Sequence, residues 1–394
     1  MMRDLLQEEI PAGLKSSSSS TPHKALRVLM VTPRFFPDLG GVENHVYQVA
    51  TRLAQTGMQI HVLTTDRQGK LPSYEQVEGV HVQRVRAWPA RRDYYFAPEI
   101  YSYIQRNKWD LIHIQSYHTL VPPLAMLAAR RAGIPYVVTF HGGGHSSRLR
   151  NGLRGVQWSL LRPLISKAER LVAVANFEIE WWGRIFGVAS ERFVVIPNGA
   201  DLPPVQRSSR RPSTNRTVIA SIGRLERYKG HQRIIAALPF ILNQCPDVQL
   251  WIAGVGPYEA TLRQLAHQLN VADHVEIRAV PVSERGRMAE ELSQAALVVL
   301  LSEYETHPIA VLEAIALGRP ALVAANSGLN ELASQGLAQA IPLDSAPRQV
   351  AAAVLDQLRK PHVPPPFELP TWDDCAKGLF TLYQQITRET VCAS

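Results

Sequence analysis

The chain has 394 residues, 46% of them apolar and 19% charged, with a formal net charge of +8. That length accommodates two domains of ordinary size, each with its own core, and that balance describes a globular chain, not a disordered or fibrous one. No apolar run approaches a membrane span, and Cys245, Cys375 and Cys392 show neither a metal-binding spacing nor an even disulfide count, so free thiols in a reducing, cytoplasmic compartment are expected. Residues 1–25 mix charges, Pro11, Gly13 and a serine run from Ser16 to Ser20, lack the apolar stretch of a signal peptide, and are expected to form a disordered tail. The charge is uneven: residues 1–200 hold 24 Lys+Arg against 15 Asp+Glu, a net of +9, and residues 201–394 hold 18 against 19, a net of −1. Nucleic acid, an anionic membrane surface or an anionic acceptor could each account for a basic first half.

From residue 26 onward, short β-branched apolar runs alternate with amphipathic stretches. Strands are predicted at 26–32, 60–65, 80–85, 111–115, 136–140, 171–175 and 193–196, with helices between most of them, as at 42–55, 121–131 and 156–167. The alternation argues for a parallel sheet covered on both faces. It stops at Pro203-Pro204 and a polar, basic stretch from Arg207 to Arg216, the expected interdomain linker. A second series follows, with strands at 218–222, 248–253, 275–278, 297–301 and 321–324 and helices near 231–243, 257–269, 284–294, 309–317 and 346–358. A breaker run from Pro361 to Pro370 precedes a last helix, 372–388. The expected class is α/β: two facing Rossmann-like domains, 26–202 and 203–370, followed by a C-terminal segment, 371–394, with a ligand cleft at the carboxyl ends of the two sheets.

Several motifs fall at those carboxyl ends. Gly40-Gly41 occupies the first βα turn, where backbone can approach a phosphate or sugar beside a helix N-terminus, although a Gly-Gly pair is also an ordinary tight connection. The dehydrogenase fingerprint G-x-G-x-x-G is absent, so no NAD is expected. His141 opens the Gly142-Gly143-Gly144 loop after a strand and would point into the cleft, or is simply a surface histidine on a flexible loop; His145 reads as a loop residue. Arg224 and Lys229 put a planar fork and a point charge on one short loop, a clamp suited to a diphosphate unless they are solvated surface. Gly254-Val255-Gly256-Pro257 and Asn198-Gly199 read as generic turns. In Glu305-Thr306-His307-Pro308-Ile309-Ala310-Val311-Leu312-Glu313, the first carboxylate lies in a loop leading into a helix. The second lies within that helix, where its oxygens can grip a pair of neighbouring hydroxyls as on a ribose. Ile309, Leu312 and Ile315 fall at helical spacing, and Pro308 suits an opening position. The pair alone could equally be solvated. Arg84, Arg86, Trp88, Arg91, Arg92, Tyr94, Tyr95 and Phe96 form a basic-aromatic stretch, either a seat for an anionic headgroup or glycan or a solvated loop with aromatics turned inward.

Taken together, the ordered strings over residues 26 to 390 resemble the GT-B glycosyltransferases grouped as family 4. The matching strings are Gly40-Gly41-Val42-Glu43, His141-Gly142, Ile196-Pro197-Asn198-Gly199, Gly223-Arg224 to Lys229-Gly230, Ala253-Gly254-Val255-Gly256-Pro257 and the Glu305-x7-Glu313 segment. The resemblance implies a retaining transfer of a hexose-type sugar from a nucleotide-diphosphate donor, with no cofactor and no metal. The chain also has no Asp-x-Asp pair. It implies catalytic roles for His141, Arg224, Lys229 and Glu305. It implies donor binding by Gly40, Gly41, Gly254, Gly256, Thr306, His307, Ile309, Ala310 and Glu313. The first domain would take the acceptor (a glycan, a lipid-linked or a small-molecule sugar), the second the nucleotide sugar, and the last helix would cross back to the first domain. Family members often have Gly where Thr306 and Pro308 stand; Pro308 has no N–H to offer a sugar hydroxyl, and Thr306 and His307 could supply side-chain contacts in its place. An inactive sugar-nucleotide-binding protein and a GT-B-like epimerase are the alternatives. The expected location is cytoplasmic, with peripheral contact on the membrane's cytoplasmic face and no nucleic-acid partner.

Overall fold

A computed structural model of the chain describes residues 25–38, 40–89, 95–142, 148–203, 205, 216–281 and 283–393. Residues 1–24 and most of the 207–216 stretch lie outside them. The first sheet contains β1 (Arg27–Val31), β2 (Gln59–Asp66), β3 (Tyr74–Val77), β4 (Val80–Arg86), β5 (Leu111–Gln115), β6 (Tyr136–Thr139), β7 (Arg170–Ala173) and β8 (Phe193–Val195), in the order β3-β4-β2-β1-β5-β6-β7-β8. Its helices are α1 (Gly41–Gln55), α2 (Glu99–Arg106), α3 (Val121–Ala132), α4 (Arg148–Ile165) and α5 (Phe177–Phe186). The second sheet contains β9 (Thr217–Ile222), β10 (Val248–Ala253), β11 (Val275–Ile277), β12 (Leu297–Leu300), β13 (Ala321–Ala324) and β14 (Gln339–Ile341), all parallel, in the order β11-β10-β9-β12-β13-β14. Around it lie α6 (His231–Leu242), α7 (Glu259–Gln268), α8 (Arg285–Gln294), α9 (Ile309–Ala316), α10 (Ser327–Ser334) and α11 (Pro347–Arg359). A long last helix, α12 (Trp372–Ala393), closes the chain.

The two Rossmann-like α/β layers follow from the strands' composition. The central strands β1, β5, β6, β9, β10, β12 and β13 are almost entirely buried, as expected of parallel strands with helices on both faces. Each sheet reverses direction of growth at its first strand: β1 lies between β2 and β5, and β9 between β10 and β12. The crevice at such a reversal, beyond the carboxyl ends, is where open α/β sheets bind ligands. The sequence pattern does not anticipate β3, which pairs antiparallel with β4 through a two-residue turn at Glu78 and Gly79, both at positive φ. That geometry is a primed hairpin turn, here written Glu-Gly where Asn-Gly is the stronger signal.

The chain ends on the sheet where it began. Helix α12 packs on α1, and Trp372, Cys375, Leu379, Leu382, Tyr383 and Ile386 join the core beneath β1, β2 and β4. Gly199 makes the start of this helix possible, because a Cβ there would lie 2.3 Å from the Trp372 amide nitrogen. Deeper in, His113 on β5 hydrogen-bonds through Nδ1 to the Tyr383 hydroxyl and through Nε2 to Thr139 Oγ1 on β6, 2.7 Å away. Full burial pushes the His113 pKa down to about 3, so the ring is neutral, and the two hydroxyls satisfy both of its nitrogens. Tyr383→Phe leaves His113 Nδ1 buried without a partner and should destabilise the protein by about 1–3 kcal/mol in urea unfolding; an unchanged midpoint would show that the hydrogen bond contributes nothing.

Candidate functional site

The turn after β9 carries Arg224 and Lys229, and its shape is set by backbone laid on backbone. Leu225 N–H donates to Val255 O (3.0 Å) and Tyr258 N–H donates to Leu225 O (2.9 Å). A Cβ on Gly254 would lie 1.9 Å from Gly223 O, and one on Gly256 would lie 2.4 Å from Leu225 O. These two glycines are therefore required by turn-on-turn packing, whatever else they touch. Arg224 is exposed and donates to the Tyr228 hydroxyl at 2.6 Å. Lys229 ends a short 3-10 turn, and Gly230 after it sits at φ +79° against Leu301 O at the end of β12. This contact brings Lys229 Nζ to 2.6 Å from Glu305 Oε1, which also accepts from Ser302 Oγ at 2.7 Å. The two charged side chains are only 16% and 10% exposed, so each depends on the other for compensation.

The Glu305 backbone is held as firmly as its side chain. Its N–H donates to Ser327 Oγ (3.0 Å), and its C=O accepts the Gly328 N–H (2.9 Å). Asn326 Nδ2 ties down Ser302 O and Glu303 O. The start of α10 is thus fastened to the loop that carries Glu305 and Thr306. Pro308 stands one residue ahead of α9 and does not open it; its carbonyl accepts the N–H groups of Val311 (2.9 Å) and Leu312 (3.1 Å). Along α9, Leu312 and Ile315 are buried, Ile309 and Ala310 half-buried, and Glu313 is 2% exposed. Burial pushes the Glu313 carboxyl up, and the Arg285 guanidinium that bridges to it from α8 pulls it back. Arg285 also donates to Asp201 O at 2.9 Å.

Across the cleft, a Cβ on Gly41 would meet nothing within 4 Å, and the atoms nearest one on Gly40 belong to the flexible Glu43 carboxylate. Packing within the protein does not demand either glycine. Burial raises the Glu43 pKa, and the charges of Arg34 and Arg224 oppose it, so the first βα turn and the Arg224 turn share one field. His141, at φ +41°, donates through Nε2 to Gln115 Oε1 at 2.7 Å. Burial, and then the like charges of His45, His113 and His118, push its pKa well below the ordinary value, so His141 is a neutral ring with Nδ1 available as an acceptor. The next residue closes the gap between domains: Gly142 O accepts the Thr306 hydroxyl at 2.7 Å. His307 is pushed down to about 4 by burial beside the Asn198 backbone.

Several further side chains shape the site. Ser302, Gln115 and Arg285 hold Glu305, His141 and Glu313 but belong to no motif. Glu178, on α5, is fully buried and pushed up to about 7, chiefly by burial; it accepts the Val174 N–H (2.9 Å) and Trp182 Nε1–H (3.0 Å). The only available signal was position, a polar residue just past a strand's carboxyl end. The basic-aromatic stretch divides: Arg84 is buried against Glu75 (2.5 Å) and Phe36 O (2.7 Å), and the buried Tyr95 donates to Pro33 O (2.9 Å). Arg86, Trp88 and Phe96 are exposed, while Arg91, Arg92 and Tyr94, like His145, lie outside the described residues. Among the described residues, no three His, Cys, Asp or Glu side chains gather as metal ligands, and no helix is long and apolar enough to cross a membrane.

Residues 39–203 match the family described as Glycosyltransferase Family 4, and residues 204–364 match Glycosyl transferases group 1. The chain is 27% identical over 358 residues to a D-inositol 3-phosphate glycosyltransferase of Nocardiopsis dassonvillei, covering 82% of each chain. Among solved structures it is similar to a sucrose-phosphate synthase from Thermosynechococcus elongatus (TM-score 0.70, 18% identity, 94% of this chain and 100% of that one). It is also similar to Anabaena HepE in complex with UDP and glucose (TM-score 0.66, 18% identity, with the same coverages).

His45 supplies a test of the burial at this site. It is 2% exposed, its ring lies 4.5 Å from that of His141, and burial pushes its pKa down to about 4 against the opposing effect of the Asn198 side chain. The unfolded chain binds a proton near pH 6.5 that the folded one refuses, so His45 costs stability as pH falls from 6.5 toward 4. Relative to wild type, His45→Phe should therefore gain about 2 kcal/mol between pH 7 and pH 5 in urea unfolding. A pH-independent difference would contradict the depressed pKa.

Proposed function

The chain belongs to glycosyltransferase family 4 and is a GT-B glycosyltransferase, and from that premise we propose that it moves a hexose-type sugar from a nucleotide diphosphate to a glycan, lipid-linked or small-molecule acceptor, with retention of configuration and without a metal. The observation that carries this reading is the Thr306 to Gly142 hydrogen bond, which joins the loop holding the Lys229–Glu305 pair to the His141-Gly142 turn from the opposite sheet. UDP and glucose in the HepE complex support the donor class, and the inositol phosphate in the Nocardiopsis relative's name supports a phosphorylated polyol as acceptor.

The chemistry asks for stabilisation of a departing diphosphate and of an oxocarbenium-like sugar. Arg224 and Lys229 supply fixed positive charge for the first. The bond from the anomeric carbon to phosphate breaks while the acceptor oxygen bonds the same face, and the acceptor's proton passes to the leaving phosphate oxygen. No side-chain base is then needed, consistent with a His141 that is neutral and already engaged by Gln115. Glu305 orients donor hydroxyls while Lys229 is shared between it and the phosphate, His141 Nδ1 accepts from a sugar hydroxyl, and Glu313 takes the ribose hydroxyls with Arg285 moving to one side. The glycine turns, Thr306, His307, Ile309 and Ala310 line the same donor cleft.

Lys229→Ala should lower turnover about 100-fold, as for other preorganised electrostatic groups, whereas Glu313→Gln should chiefly weaken donor binding, by about 1.5–3 kcal/mol. Turnover with a donor panel read out as free nucleoside diphosphate, and calorimetry with the same donors, check the two roles. Wild-type behaviour in either variant removes that residue from the site.

The basic excess of residues 1–200 extends the reading to peripheral contact with an anionic, cytoplasmic-side membrane. The protein should co-sediment with acidic liposomes and be released as salt rises, since exposed charges are screened within about 10 Å at 0.1 M. Replacing Arg91 and Arg92 by Ser should weaken that binding without altering nucleotide affinity. Protein that stays in the supernatant at low salt would point to a soluble acceptor.

A further inference from the structure

Helix α5 begins without a cap of its own. Asn176, the residue before it, adopts a helical conformation and its side chain caps nothing within the helix; the Glu178 N–H finds Ala175 O (3.2 Å) and the Ile179 N–H finds Asn176 O (3.0 Å), which leaves the N–H groups of Asn176 and Phe177 to be met from elsewhere. The acceptor comes from the other sheet. Glu331, on α10, receives the Phe177 N–H at Oε2 (3.0 Å), and the Asn176 N–H (3.3 Å) and Asn176 Nδ2 (2.8 Å) at Oε1. A carboxylate at a helix N-terminus is also favoured by the helix dipole. Phe177 packs edge-on to Tyr304, with ring centroids 6.2 Å apart, beside the same contact.

The first turn of α10, one turn before Glu331, is fastened to the donor loop, through Ser327 Oγ and Gly328 N–H on Glu305 and Asn326 on Ser302 and Glu303. One helix of eight residues therefore grips the Glu305-Thr306 loop with its first turn and the acceptor-side domain with Glu331. The Thr306 to Gly142 hydrogen bond spans the cleft alongside it. We propose that Glu331 is a positioning residue for sugar transfer: it latches the two domains in the closed arrangement and thereby sets Glu305 and Thr306 against the His141-Gly142 turn, without itself touching the donor. This rests on the donor reading above for its effect on sugar binding, but the closure stands on the geometry alone.

The latch separates two ligands. The charged groups assigned above to a nucleoside diphosphate, Arg224, Lys229 and Glu313, all lie in the second domain, whereas a nucleotide sugar also needs the loop that closure positions. Apparent affinity for the sugar form scales with the fraction of closed molecules. In the full-length chain, Glu331→Ala should weaken binding of the nucleotide sugar about 10-fold while changing UDP affinity less than about two-fold. Calorimetry would use UDP together with UDP-glucose, GDP-mannose and UDP-N-acetylglucosamine. The radius of gyration from small-angle X-ray scattering should rise in the same variant, and Glu331→Gln, which keeps one carbonyl acceptor, should fall between. Asn176→Ala, which removes the Nδ2 donor from the other side of the contact, should produce the same selective loss and be non-additive with Glu331→Ala; it also carries the comparison if Glu331→Ala fails to fold. Equal weakening of UDP and nucleotide sugar, or an unchanged radius of gyration with unchanged affinities, would overturn the latch. Failure of wild type to bind any of the three nucleotide sugars would instead overturn the donor reading, and the scattering of the two variants would still decide the latch.

Discussion

The Glu305 carboxylate shares one oxygen between the Lys229 ammonium and the Ser302 hydroxyl, in a place from which most water is excluded. A buried carboxylate without such partners would be strongly disfavoured, so the loop after β12 and the turn after β9 are held together by charge as well as by Gly230 packed on Leu301. Ser327 and Gly328 secure the same residue's backbone from α10. Three segments of the second domain thus converge on one residue, its carboxylate held by two of them and its backbone by the third.

The facing wall is organised by neutral histidines rather than by charge. His45, His113 and His141 are all pushed down by burial; His45 packs edge-on to His141 and to Trp372 of the returning α12 helix, His141 bonds Gln115, and His113 packs edge-on to Tyr383. Neutral rings can be packed this closely, whereas imidazolium ions could not. The consequence for function is a division of labour. In the proposed reading, Arg224 and Lys229 in the second domain supply positive charge for a diphosphate, and the first domain offers hydrogen-bonding rings and backbone carbonyls suited to sugar hydroxyls.

The parallel strands were readable because they are continuous β-branched runs, and most predicted strands and helices lie within a few residues of the observed ones. The omissions have physical reasons. Strands β3 and β14 are short edge strands with exposed positions, so they carry no apolar run. Helices α2, α5 and α10 are eight to ten residues long, and α5 takes its cap from another part of the chain. At the site, Lys229, Glu305, Glu313 and His141 were legible because each stands in an ordered string. Their partners Ser302, Arg285 and Gln115 were not, since a single polar residue in a strand or helix has no local pattern.

What the sequence by itself determined is the alternation that makes two parallel sheets, the glycine turns at their carboxyl ends, and the residue types offered to the cleft. Those depend on local periodicity and on conformations that only particular residues accept. Tertiary structure alone decided which charges meet. Lys229 and Glu305 are 76 positions apart, Thr306 and Gly142 164, and Glu331 reaches Asn176 and Phe177 across 155 and 154. It also decided that Arg84 is an internal tie and not a surface cation, and that Gly254 and Gly256 are compelled by backbone contact. Side-chain burial and pairing at such separations arise from the packing of whole domains, and no local stretch of sequence encodes them.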